Sequence, residues 1–150
     1  MPVPVSWRNL IVNAQAGASK SSLFPNNLYI RLLDGNPDDP DDPGVECSGG
    51  GYARIGPIDM TSGAMWPAAA DGQKANASQV DGTTSSGSYD RVATWAQAVD
   101  TASGTPTVYG PSWQLPEEID VDVAGVKPII AAGGFVISEL DLDSDALDEE

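Results

Sequence analysis

The 150-residue chain contains no histidine. That one absence removes the commonest general base, the usual serine and cysteine triads and most zinc sites. Catalysis would have to rest on carboxylates. Glu117, Glu118, Asp120 and Asp122 supply candidates of the type that glycosidases use in pairs. Adjacent side chains on a strand point to opposite faces, however, and no single pair stands out, so the simpler reading is a solvated acidic strand edge. Asp141, Asp143 and Asp145 stand at the first three alternating positions of a calcium loop, but Ala146 occupies the glycine position and no bidentate glutamate follows at the required spacing. The cluster Asp38, Asp39, Asp41 and Asp42 could hold a divalent cation loosely, or could simply keep a proline-stiffened loop in water. Cys47 is the single cysteine, which excludes an internal disulfide. No cationic residue is near it in sequence and Glu46 precedes it, so its thiol is expected to be unreactive. Asn76-Ala77-Ser78 matches a glycosylation acceptor, which carries no weight without a secretory signal. No catalytic, metal or cofactor-binding residue is assigned.

Two other sets of residues point to architecture or binding. Gly49, Gly50 and Gly51 abut Tyr52, Ala53 and Arg54. Three consecutive glycines fit a sharp turn, a bulge or a close approach to a neighbouring chain. The lysine and hydroxyl residue of a phosphate loop do not follow them. Trp7, Trp66, Trp95 and Trp113 could form a platform for sugar rings, although tryptophan at apolar positions is more often core or subunit interface.

The elements that must position these residues read as short strands. Ser6 can cap a helix over residues 7–15, where Trp7, Leu10, Ile11 and Ala14 recur at helical spacing. Residues 28–33 alternate as a strand with both faces partly apolar. The three prolines between Asp34 and Gly44 dictate an exposed loop. Tyr52, Arg54 and Ile55 open a second strand region running to Met60, in which Gly56-Pro57 demands a bulge, a bend or an edge position. Residues 61–89 read as short strands joined by long turns. Residues 92–99 alternate as a strand, with a short helix as the competing reading. Gly110-Pro111 predicts a turn inside residues 107–115. Ile119, Val121 and Val123 predict a strand with one wet face. Gly133-Gly134 predicts a tight reversal between the apolar runs 129–132 and 135–137. Many short strands at turn-rich spacing predict an all-β, jelly-roll-like sandwich over residues 1–138. Residues 139–150 read as an acidic mobile tail.

The formal charge of −15, from 22 acidic and 7 basic residues, argues against nucleic acid or an anionic membrane as a partner. No apolar run approaches the ~20 residues that cross a bilayer, and the first residues lack a signal-peptide pattern, so a soluble chain made in the cytoplasm is expected.

Read in order, Leu28-Tyr29-Ile30-Arg31-Leu32, Glu46-Cys47-Ser48-Gly49-Gly50-Gly51-Tyr52-Ala53-Arg54, Ala93-Thr94-Trp95-Ala96-Gln97-Ala98-Val99 and Ala132-Gly133-Gly134 resemble a family of small tailed-bacteriophage virion proteins. Its members are variously tail-fibre-like or capsid-decorating. The resemblance spans roughly residues 6–137; Gly56-Pro57 and Ala96 depart from it. It implies a non-enzymatic virion protein, first of all a decoration or cement protein on the outer capsid. In that role it would bind the major capsid protein and sister subunits, as a homotrimer by family analogy and virion symmetry. A tail or fibre-base protein is the second reading. A carbohydrate-binding module that holds a host glycan is the third. Under the first reading Gly49, Gly50, Gly51, Tyr52, Arg54 and the four tryptophans are architectural or interface residues.

Overall fold

The computed structural model describes residues 25–70 and 73–138. The helix expected over residues 7–15, Trp7, the aspartates of the rejected calcium loop and the tail from residue 139 lie outside the described residues. Alternating branched apolar residues place Asn27–Leu33 in strand β1, with Leu28, Ile30 and Leu32 turned into the core. Strand β2 is Ile55–Asp59, β3 Gln73–Ala75, β4 Val80–Asp81, β5 Ala93–Val99, β6 Val108–Ile119, β7 Ile129–Ile130 and β8 Val136–Ser138. The fold is all-β and antiparallel, with no helix among the described residues. One four-stranded sheet has the order β2-β1-β5-β6, and β3-β8 and β4-β7 form two short ladders.

The prolines within the four-stranded sheet follow from this order. Pro57 lies in β2, and Pro111 and Pro116 lie in β6, the two edge strands. A residue without an N–H is tolerated at an edge and not in the centre. The turn expected at Gly110-Pro111 is therefore absent. Against Gln97–Val99 of β5, β6 runs from Val108 to Ser112, and the extra residues form a bulge that absorbs the pair. A second bulge lies opposite Ala93 and Trp95, where β6 runs from Gln114 to Ile119 and takes up Pro116. Tyr52 and Arg54 precede β2 and are not part of it, which corrects the expected strand start.

The core lies on one face of the sheet. Leu28, Ile30 and Leu32 of β1 meet Ile55 and Ile58 of β2 on one side and Ala96 and Ala98 of β5 on the other. The two alanines leave room for larger rings. Phe135, fully buried, stacks on Trp113 at 5.2 Å between centroids and meets Trp66 edge-on at 5.2 Å. Burial of each large side chain contributes about 1.5–3 kcal/mol. These rings, with Val80 of β4 and Ile130 of β7, join the short ladders to the sheet.

One further expectation fails. Residues 120–123 form no strand, and Val121 is buried whereas Val123 is 56% exposed, so the alternation does not mark one face. Hydrogen bonds from Tyr89 N–H to Val121 O and from the Ser85 hydroxyl to Val123 O tie this segment to residues 85–89. Residues 129–137 turn at Gly133-Gly134 as expected, and beyond the turn β7 pairs with β4 and β8 with β3 rather than with each other.

Candidate functional site

The triple glycine makes a close approach within its own chain. Gly49, Gly50 and Gly51 all have positive φ, at 74°, 56° and 74°. A Cβ on Gly50 would lie 2.4 Å from the Ser88 carbonyl oxygen and 2.6 Å from that of Gly87. The segment is pinned by Ser86 N–H donating to Gly50 O and Asp90 N–H donating to Ser48 O, both at 2.8 Å. Asp90 accepts in turn from the Ser48 N–H at 2.7 Å and the Ser48 hydroxyl at 2.9 Å. Arg91 bridges Asp90 and Asp34 at 3.1 and 2.8 Å.

This turn delivers Tyr52 and Arg54 to Glu46. Beyond Ile55 the edge of β1 is bridged by the segment carrying Glu46, at Leu33–Glu46, with Cys47 N–H donating to Leu32 O at 2.9 Å; the Tyr52 hydroxyl joins the two, accepting from Leu32 N–H and donating to Glu46 Oε1, each at 3.0 Å. Arg54, 8% exposed, makes a two-pronged contact with Glu46 at 2.8 and 2.9 Å. Its remaining donors reach Thr101 O, Thr101 Oγ1 and Gly104 O at 2.9, 3.0 and 2.8 Å. Burial pushes the Glu46 carboxyl up, but the hydrogen bonds from Arg54 and Tyr52 and the charges of Arg54 and Arg31 together hold it below its ordinary value. Arg31, Gln97 and Ser112 lie side by side on β1, β5 and β6. Arg31 donates to Gln97, which donates to Ser112 Oγ at 2.9 Å. The hydrogen bonds of this constellation hold the loops at Glu46, Thr101 and Gly104 to the sheet.

Cys47 is buried, and burial first, then the Asp90 charge, pushes its thiol up to about 11. Its Sγ contacts the Arg91 carbonyl at 3.7 Å. The folded protein is therefore expected to resist a thiol reagent at neutral pH over hours, and to react at one site once unfolded. Rapid labelling of the folded chain, followed by mass spectrometry, would contradict this placement.

Asn76 is 2% exposed. Its amide donates to Ser78 O and Ala131 O at 2.9 and 3.0 Å and accepts from Phe135 N–H at 2.9 Å. The acceptor tripeptide is thus a structural hub that seats Phe135, and its amide is closed to modification in the fold. Asp39 turns its Oδ1 back onto the N–H groups of Asp41 and Asp42, at 2.9 and 3.3 Å, so this carboxylate orders its own loop. No group of three metal-ligating side chains occurs among the described residues.

Among the described residues, Trp66 and Trp113 meet on Phe135 in the core instead of forming an exposed platform. Trp66 is 5% exposed and donates from Nε1 to Asp59 O at 3.2 Å. Trp95 is half-buried on β5, and one ring face of Trp113 is taken by Phe135. Trp113 also lines an open groove of ≈480 Å³. Leu115, Ile119, Val126, Ile129 and Ile130 continue its apolar lining, and Glu117, Glu118, Asp120 and Lys127 stand at its rim. Residues 115–119, which lie in the second β6 bulge, line one side of this groove. Three of the four carboxylates singled out in the sequence therefore meet at one place, all exposed.

Sequence reasoning passed over Glu46, Phe135 and the Arg31–Gln97–Ser112 row. A signal existed only for Glu46, since an arginine in an apolar context needs a carboxylate partner.

A family model described as Podophage GP4 fiber I protein gp80 matches residues 5–124. No curated protein gives a significant match to the chain.

Proposed function

The chain belongs to the Podophage GP4 fiber I protein gp80 family, and from that premise we propose that it is a structural component of the tail or fibre base of a podophage virion. The family is one of phage virion structural proteins. The observation that carries the finer reading is the match over residues 5–124 to a family whose description names a fibre. That wording supports the tail or fibre base ahead of the outer capsid surface, which the sequence alone put first. The protein acts by binding and not by catalysis. Its ordered polar groups are spent on the Glu46–Tyr52–Arg54 and Asn76 hubs, as suits a rigid part. Its partners are sister subunits, in a homotrimer, and a neighbouring virion protein. No glycan role is proposed, because Trp66 lies in the core and Trp113 stacks on Phe135.

Antibody labelling of intact particles by electron microscopy tests the reading. Label confined to the tail or its fibres is the expected result. Label spread in many copies over the head would overturn it in favour of capsid decoration.

A further inference from the structure

We propose that the groove lined by the second β6 bulge and residues 126–134 docks a different protein of the virion, through a segment that sets lysine or arginine beside apolar side chains. The virion setting rests on the function proposed above; the chemistry of the occupant does not. The floor of the groove extends the core outward. Trp113, Leu115, Ile119 and Val126 pack against the core cluster, remain partly exposed and line the groove. Ile129, in its wall, is 43% exposed. Full burial of a large apolar side chain contributes about 1.5–3 kcal/mol, so an apolar occupant is favoured. The rim sets its charge. Glu117, Glu118 and Asp120 are exposed there, and the one cation in the lining, Lys127, is turned to Asp81 at 3.6 Å. A cationic segment meets complementary charge, and an acidic one meets repulsion.

A second copy of this chain is a poor match to these requirements. Two copies docked groove to groove would oppose their acidic rims. Strand addition along the outer edge of β6 is hindered by Pro111 and Pro116, which have no N–H to donate. Among the described residues, Arg31, Arg54 and Arg91 are each held by a carboxylate of their own chain, and Lys127 stands in the rim itself. Lys74, the remaining described cation, sits between Gln73 and Ala75 and brings no large apolar neighbour. Every charge in residues 139–150 is negative. In residues 1–24 Arg8 and Lys20 are isolated single cations, so neither offers paired charge to a rim of three carboxylates.

The full-length protein is tested with two fluorescein-labelled peptides, one with leucine and phenylalanine between lysines and one with glutamate for every lysine. The lysine peptide is expected to bind about tenfold more tightly at low salt, with the gap closing as salt rises. Glu117→Gln with Glu118→Gln removes most of that gap. Ile129→Ser weakens the lysine peptide without change in the circular dichroism spectrum. Asp41→Asn with Asp42→Asn, in the exposed loop after β1, leaves binding unchanged. Equal affinity for the two peptides would overturn the proposal, as would binding that responds to the loop substitutions and ignores those in the groove, since net charge alone would then explain it. In intact particles, a photocrosslinker placed at Ile129 is expected to capture a different virion protein at a segment bearing lysine or arginine. Capture of this chain, its own residues 1–24 or a sister's, would overturn the proposal in favour of self-docking, and the absence of any crosslink would also reject it. Antibody label on the head would relocate the protein on the particle and leave the peptide result standing.

Discussion

Arg54→Ala is expected to destabilise the folded protein by about 3–5 kcal/mol, read from chemical denaturation, because it leaves the Glu46 carboxylate only the Tyr52 hydroxyl and the more distant Arg31 at 3.9 Å. The guanidinium it removes has a side-chain exposure of 5%, against 23% for Glu46. Glu46 keeps some access to water, so the loss falls toward the lower end of that range. Four contacts beyond the ion pair disappear with it or lose their geometry: those to Thr101 O, Thr101 Oγ1 and Gly104 O, and the alignment of Glu46 for Tyr52. Arg54→Lys retains charge but not the fork, and is expected to recover less than half of the loss. The pH dependence has a definite sign. The Glu46 carboxyl lies below its ordinary value of 4.5 when folded, so the unfolded chain binds its proton at the higher pH. The stabilisation from this group is complete above about 4.5 and is lost as pH falls through the lower, folded value. Stability plotted against pH should therefore decline less steeply in acid for Arg54→Ala than for the parent. Equal slopes, or a loss under 1 kcal/mol at neutral pH, would remove Glu46–Arg54 as a hub.

Gly50→Ala is expected to cost about 2–5 kcal/mol, as the sum of a left-handed residue with a side chain and a steric conflict with backbone. Its φ is 56°, and the two nearest atoms to a new Cβ are carbonyl oxygens at 2.4 and 2.6 Å. Neither can swing aside as a flexible side chain would. Gly125→Ala separates the two causes, since φ is 90° there and nothing lies within 4 Å of the added carbon. It should cost about 1–2 kcal/mol. Comparable losses at the two positions, measured by thermal or chemical unfolding, would mean that Ser88 and Gly87 yield and that the close approach is not what requires glycine.

β1 and β5 are legible in the sequence because their side chains alternate over seven residues and each strand is paired on both sides, which leaves little room for another arrangement. β6 is not. Gly110-Pro111 is a turn signal in any local reading, and only its place at an edge, with a bulge available, lets the strand continue through it. The runs around Gly133-Gly134 show a similar limit. Their local pattern gives the tight reversal, but their partners, β4 and β3, are far away in sequence. At the site, the glycines announced a tight backbone passage without saying against what. The answer, residues 86–90, lies more than thirty positions away.

The sequence by itself determined the absence of histidine chemistry, the missing metal spacing, the acidic balance and the all-β class. These depend on which residue types are present and on their nearest neighbours. Only the tertiary structure decided that Glu46, Tyr52 and Arg54 form one network, that Asn76 seats Phe135, and that carboxylates from the end of β6 rim an apolar groove. Each of these depends on which strand edges pair and where a bulge turns a side chain. That choice is made by burial summed over the whole core, and no local window contains it.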